Sequence, residues 1–292
     1  PPSARKPRSE PSATDDRPPR TSCCSCGSFL RGALAPALTV HDAELRINAP
    51  LAERTPFLRF NGQRHCHRFP PVSMADISAG RKRHSCSVND LLLAALTGAL
   101  RRYGAEVRGD EKLQGSSAKQ LEFKALVMMA LPRPVDEADL LGSLCNSILF
   151  ASCPLPIGEP DAAERVNRTV EACNDLKSKA YMSGLVGFTN FIKGVAPVSM
   201  MRKAASELFS KHSLLVTNVP TTTAPVTFPK EGGEMPNEVQ MVYPNAITQV
   251  SLMSYNGKVF GNIVADPGLF PQMERLGDYW ASEVLVLAGN AP

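Results

Sequence analysis

The chain has 292 residues, of which 43% are hydrophobic and 21% charged, and a formal net charge of +4, enough chain for one large domain or two small ones around a buried core. So small a charge, with no basic stripe interleaved with aromatics, argues against a nucleic-acid surface and by itself shows no more than a weak attraction to an anionic membrane. No run reaches the roughly 18 apolar residues of a membrane-spanning helix, and the Pro-, Arg- and Ser-rich beginning lacks the apolar segment of a secretory signal.

Residues 1–40 are basic and poor in large apolar side chains, a composition that cannot offset the entropy of ordering. They are expected to form a disordered tail or linker ahead of a single folded region, 41–292. The eight cysteines, Cys23, Cys24, Cys26, Cys66, Cys86, Cys145, Cys153 and Cys173, have no regular spacing, which argues against a disulfide framework. The Cys23-Cys24-Ser25-Cys26 cluster lacks the second ligand pair of a zinc site and reads as reactive thiols. Cys145 and Cys153 sit in apolar sequence and read as small core hydrophobes.

Within the folded region a strand is predicted over Gly62–Phe69 and a short helix near Ser73–Arg81. A strong helix follows over Val88–Tyr103, entered through Ser87 as N-cap with Asp90 three residues on, a capping-box pattern. Residues 104–120 read as loop. Glu122–Leu131 and Ser147–Cys153 have strand character, separated by the break Pro132-Arg133-Pro134. Pro160 suits the first turn of a helix through Asp161–Tyr181, whose Ala163, Val166, Val170, Cys173 and Leu176 share one face. Gly184, Gly187 and Gly194 punctuate the next stretch, and another helix is predicted over Val198–Ser210. Strands are expected at Ser213–Val219 and Glu238–Tyr243. Ile247–Tyr255 and Lys258–Ala265 form a hairpin about Asn256-Gly257, the strongest two-residue turn signal. Pro271–Leu287 closes the chain as a helix. Helices mixed with strands, and a hairpin near the end, predict a mixed α/β sheet flanked by helices.

Four landmarks occur in order along this framework. They are Ser87-Val88-Asn89-Asp90 with its helix, Leu141-Gly142 leading to Pro154-Leu155-Pro156-Ile157-Gly158-Glu159-Pro160, Thr217-Asn218-Val219-Pro220, and Ser254-Tyr255-Asn256-Gly257-Lys258-Val259-Phe260 through Ala265-Asp266. Over roughly residues 50–290 this pattern resembles the C-terminal domain of the wax ester synthase/diacylglycerol acyltransferase (WS/DGAT) family. The resemblance implies half of a CoA-dependent acyltransferase-like fold, of the chloramphenicol acetyltransferase type. Two positions depart from the family: Ser143 follows Leu141-Gly142 where Asn is usual, and Thr221-Thr222-Thr223 follow Pro220 where Gly-Pro is usual.

The implied activity is transfer of an acyl group from acyl-CoA, used as substrate with no cofactor, to a long-chain alcohol or a diacylglycerol. In the family a histidine of an HHxxxDG motif is the general base, a role suited to a side chain that titrates near neutral pH. The motif occurs nowhere in the sequence. The expected partner is therefore a missing N-terminal acyltransferase domain carrying it, with this chain, which begins at Pro1, as a fragment. Endoplasmic reticulum or lipid-droplet surfaces contacted peripherally, or the cytoplasm, are the implied locations.

No catalytic residue is assigned within the chain. His41, His65, His67, His84 and His212 precede no Asp-Gly. His65 and His67 would share a strand face, but no third metal ligand is evident. The resemblance nominates Asn89, Asp90 and Asn218 as active-site support. Asp90 has an alternative duty in capping its helix, and shaping a turn is an equal alternative for Asn218. Asn167-Arg168-Thr169, a formal glycosylation sequon, falls within a predicted helix and reads as coincidental. A half-fold would also expose apolar surface where its partner docks, which predicts poor solubility or self-association.

Overall fold

The structure, a computed structural model, describes residues 25–48, 63–131, 136, 138–139, 141, 143, 147–227, 236–243 and 247–290. Its strands are β1 (His65–Arg68), β2 (Val72–Ser73), β3 (Phe123–Ala130), β4 (Ile148–Leu155), β5 (Leu214–Pro220), β6 (Thr248–Tyr255) and β7 (Lys258–Ala265). They form one seven-stranded sheet in the order β1-β7-β6-β5-β3-β4, with β2 also on β7. β5 runs parallel to both β3 and β6. The remaining pairings, β3–β4, β6–β7, β1–β7 and β2–β7, are antiparallel. The sheet is therefore mixed, as the terminal hairpin requires. Asn256 and Gly257 take φ of 45° and 75°, positive at both central turn positions, the geometry that matches the twist of two-residue hairpins.

The helices are α1 (Ser25–Leu38), α2 (Met74–Arg83), α3 (Val88–Glu106), α4 (Ala162–Lys177), α5 (Lys179–Val195), α6 (Val198–Ser210) and α7 (Met273–Ala288). α2, α3, α4 and α7 share the main core with the sheet face carrying Val127, Ala151, Val216, Val250 and Ile263. These five positions are paired across neighbouring strands, and directly paired residues point to the same side of a sheet. On α3 every residue from Asp90 to Leu100 is buried. A helix this apolar must be covered on all sides. Trp280 of α7 packs on Phe69 with ring centroids 5.6 Å apart. On the opposite sheet face a smaller cluster of Leu126, Leu215 and Ile247 is covered by Leu208 and Phe209 of α6.

One buried polar knot joins the helices of the main layer. Arg165 of α4, 3% exposed, pairs with Glu283 of α7. It also donates to the Ala94 carbonyl of α3 at 3.3 Å and to the Glu159 and Pro160 carbonyls at 3.0 and 3.3 Å. Gly98 of α3 lies against the pair, and a Cβ there would collide with both side chains.

Several elements differ from expectation. Ser25–Leu38, placed in the disordered tail, is helical, while residues 1–24 lie outside the described residues. α1 gains its burial from a partner distant in sequence: a Cβ at Gly32 would strike the Tyr181 backbone of α5, and one at Gly184 the Phe29 backbone. Two of the residues that make this contact close are thus glycines, and Gly184, read as punctuation, lies inside the continuous helix α5. Arg31 adds an ion pair to Asp175 at 3.0 Å. α3 continues to Glu106, and the loop after it contains short 3₁₀ turns at Glu111–Leu113 and Ser116–Gln120.

α4 begins after Asp161, whose carboxylate accepts from Glu164 N, so Pro160 precedes the cap rather than occupying the first turn. Thr169 of the sequon is fully buried in α4. Glu238–Tyr243 forms no strand. It meets the sheet through the Asn262 side chain, which donates to Gln240 Oε1 and the Met241 carbonyl at 2.7 and 3.0 Å. Cys153 is buried as a core hydrophobe, whereas Cys23, Cys24, Cys145 and Pro132-Arg133-Pro134 lie outside the described residues.

Glu283→Ala strands the Arg165 guanidinium in the core and is expected to lower unfolding free energy by about 3–5 kcal/mol in denaturant titrations. Replacing both partners, Arg165→Met with Glu283→Leu, removes the charges together and is expected to cost markedly less.

Candidate functional site

The C-terminal ends of β3 and β5, parallel neighbours, open toward the N-terminus of α3. The outer ends of such strands, beside a helix N-terminus, are where open α/β sheets commonly hold ligands. An apolar cavity of about 280 Å³ lies there, lined by Leu93, Val127, Met129, Leu176, Val216 and Leu252, with Asn89, Asp90, Lys177 and Asn218 as its polar groups. All three residues nominated from the sequence therefore meet at one place.

Each is positioned by its element. Ser87 Oγ accepts from Asp90 N at 3.2 Å, and Asp90 Oδ2 accepts from Ser87 N at 3.0 Å. This complete capping box satisfies N–H groups that a helix start leaves unpaired. Lys177, the last residue of α4, donates to the same Oδ2 at 2.5 Å. Asp90 is 1% exposed, and among the described residues its Oδ1 has no hydrogen-bond partner. Asn218 lies two residues beyond Val216 and four beyond Leu214 on β5, on the same sheet face, and so faces α3. Its amide donates to Asn89 Oδ1 at 2.6 Å, tying the helix start to the strand end across the cavity mouth.

Lys177 was not singled out from the sequence. Its only local signal is its place at the C-terminus of an amphipathic helix, where a cation also suits the helix dipole. Its meeting with Asp90 is set by how α4 packs on α3.

The thiols near the cavity are not poised as nucleophiles. Cys173 lies on its wall, with Sγ 3.4 Å from Cys153 Sγ. That hydrogen bond, then burial, holds the Cys173 thiol far above the ordinary range. Burial, reinforced by the Asp90 charge, pushes Cys86 up to about 11. Thiols so raised stay protonated at neutral pH.

Of the five histidines, none lines the cavity. His65 and His67 do lie on one strand, β1. His84 contacts the Leu287 carbonyl at 3.2 Å. His212 is fully buried. Its Nδ1 is 2.7 Å from the Leu208 carbonyl, which can only accept, so Nδ1 carries the proton and Nε2 accepts from Ser152 Oγ at 2.8 Å. A serine–histidine contact of this kind can activate a hydroxyl, but here the imidazole has no solvent access and joins the end of α6 to β4. Burial pushes its pKa down to about 4. Among the described residues no helix is long and apolar enough to cross a membrane.

The arrangement defines the class. This mixed sheet with its helical layer has the CoA-dependent acyltransferase-like fold, which recurs in condensation-type domains. Residues 144–287 match the family model of the WS/DGAT C-terminal domain. Among solved structures, the wax ester synthase/diacylglycerol acyltransferase from Marinobacter aquaeolei VT8 is similar with a TM-score of 0.52 and 17% identity, over 90% of this chain and 56% of that one. The epimerization domain from the third module of tyrocidine synthetase B gives 0.55 and 11%, over 90% and 56%. The EpoB cyclization-docking bidomain from Sorangium cellulosum gives 0.53 and 13%, over 93% and 50%. The chain thus spans about half the length of these structures. No curated protein matches it.

Asn89→Ala or Asn218→Ala removes one hydrogen bond at the partly exposed mouth and is expected to change stability by about 1 kcal/mol or less. Asp90→Ala removes a charged acceptor from both the helix cap and Lys177, and a larger loss of about 1.5–3 kcal/mol is expected in the same denaturation assay.

The His212 ring is expected to stay in its neutral Nδ1–H form down to about pH 4 in nitrogen-edited NMR spectra. Because its folded value lies below the unfolded 6.5, the unfolded chain binds the proton first. The stability contributed by the neutral ring is full above that value and is lost as pH falls from there toward 4.

Proposed function

We propose that this chain is the C-terminal lobe of a lipid O-acyltransferase that moves an acyl group from acyl-CoA to a long-chain alcohol or a diacylglycerol. The observation that carries the reading is the apolar cavity closed at its mouth by Asn89 and Asn218, in a chain whose residues 144–287 match the WS/DGAT C-terminal domain. An apolar wall with few convergent polar groups is what a site for an alkyl chain with one polar end requires.

In this reading the alkyl chain of a substrate lies along Leu93, Val127, Val216 and Leu252, and the reacting carbonyl stands at the mouth. Asn89 Oδ1 accepts from Asn218, so the Asn89 amide keeps its donors for a substrate oxygen. Asp90 and Lys177 hold the start of α3 rather than exchange protons with substrate. The alcohol oxygen attacks the thioester carbon, the C–S bond breaks, and CoA leaves as thiolate. The alcohol's proton passes to a base that the described residues around the cavity do not provide, which suits a histidine on the complementary N-terminal lobe.

A second reading, a non-catalytic half-domain that binds acyl-CoA or a lipid surface, is favoured by one observation: HHxxxDG is absent from these 292 residues. Two assays separate the readings. The chain is expected to bind palmitoyl-CoA saturably, with affinity reduced in Leu252→Trp, which fills the cavity. The complete gene product is expected to form labelled wax ester or triacylglycerol from palmitoyl-CoA with hexadecanol or diolein, at a rate lowered about 10-fold or more by Asn89→Ala. Binding without transfer by the complete product selects the second reading, and absence of both overturns the first and leaves no acyl-CoA site here.

A further inference from the structure

Among the described residues Cys86, Cys153 and Cys173 are buried free thiols, and two of them meet. Cys153 of β4 and Cys173 of α4 bring their Sγ atoms to 3.4 Å. The two differ in access. Cys173 lines the apolar cavity, whereas Cys153 does not and stands fully buried behind it. Alanine would fill a small core position as well as a thiol does. Two thiols in contact add what alanine lacks, a covalent bond available on oxidation. A disulfide sets its sulfurs about 2.05 Å apart, so this pair has to close by roughly 1.3 Å.

The cavity decides which oxidant reaches the pair. Hydrogen peroxide is uncharged and little larger than water, so an apolar passage admits it where a peptide disulfide is too large. Lys177 lies one turn beyond Cys173 on α4 and pairs with Asp90. A bond at Cys173 therefore acts on the helix end that forms the cavity rim.

We propose that Cys153 and Cys173 are a dithiol that hydrogen peroxide, entering through the cavity, converts to a disulfide that clamps α4 to β4. Cys173 Sγ attacks one peroxide oxygen. The S–O bond forms, the O–O bond breaks, and the departing hydroxide takes the Cys173 proton as water. Cys153 Sγ then attacks the sulfenic sulfur. The S–S bond forms, the S–O bond breaks, and hydroxide leaves with the Cys153 proton as a second water. Two thiols thus give two electrons to one peroxide. The first step is slow, because the Cys173 thiol is held protonated. The second is fast, because its partner is already in contact. That order favours the disulfide over further oxidation to sulfinic acid. The inference goes beyond the transferase reading and does not need acyl-CoA in the cavity.

The test is incubation of the 292-residue chain with millimolar hydrogen peroxide for hours. The sample is then quenched in acid, alkylated in denaturant and digested with trypsin without reduction. Mass spectrometry is expected to find the Cys153 and Cys173 peptides crosslinked, and dithiothreitol to separate them. No Lys or Arg lies between Cys145 and Cys153, so trypsin leaves those two on one peptide. Cys153→Ala is expected to abolish the crosslink and Cys145→Ala to leave it. Leu252→Trp, which fills the cavity, is expected to slow crosslinking about 10-fold, since oxidation must then wait for local opening. The crosslinked chain is expected to melt a few degrees higher than the reduced one, a difference that dithiothreitol removes. Circular dichroism checks that each variant is folded.

No crosslink, a crosslink between other cysteines, or Cys173 as sulfinic acid beside unreacted Cys153 overturns the proposal. So does crosslinking of folded Leu252→Trp at the unaltered rate, since the cavity would then not be the entrance. A melting point that the crosslink leaves unchanged or lowers overturns the clamp. Crosslinking without palmitoyl-CoA binding sinks the transferase reading alone.

Discussion

Arg165 decides how the helical layer is assembled. From one position on α4 it reaches a carbonyl of α3, two carbonyls at the approach to its own helix, and the Glu283 carboxylate of α7. A guanidinium with its donors thus engaged is tolerable in a core, but only in one arrangement of its neighbours. Gly98 leaves room for it on α3. With α4 fixed against α3 there, its last residue, Lys177, arrives at Asp90, and Cys173 and Leu176 become cavity wall. The candidate site is a downstream result of that packing.

The parts of this arrangement that depend on neighbours in sequence could be read from the sequence. The Asn256-Gly257 hairpin is one, because positive φ at consecutive positions restricts residue choice. The Ser87–Asp90 box is another, because three-residue spacing alone lets the two side chains exchange bonds with the backbone. Asn89, Asp90 and Asn218 were found through resemblance, and their convergence is a fact of the fold. What escaped reading was tertiary. Gly184 looked like a break because its use, letting α1 approach within backbone distance, requires a helix more than a hundred residues away. The α1 segment looked too poor in apolar residues for the same reason. Lys177 had no reason to stand out until α4 lay on α3.

The cavity is built from one side only. Strand ends, the start of α3 and the end of α4 supply an apolar wall and a polar rim, and among the described residues no histidine or reactive thiol lines it. The thiols are held protonated, and His212 faces Ser152 and Leu208 across the other layer of the sheet.

The strand order also constrains how the chain reaches this state. β3 and β4 pair as one antiparallel couple and β6 and β7 as another, whereas β5 lies between β3 and β6 and is parallel to both. The two couples rest on pairings between successive strands, and the described ladder joins them only through β5. On a ribosome β3 and β4 emerge well before β5, and β5 before the hairpin that completes its other edge. Until then the nascent sheet presents unpaired backbone along β3 and later along β5, the kind of exposed edge that invites pairing with another chain. The last-made hairpin is therefore also what shields the central strand.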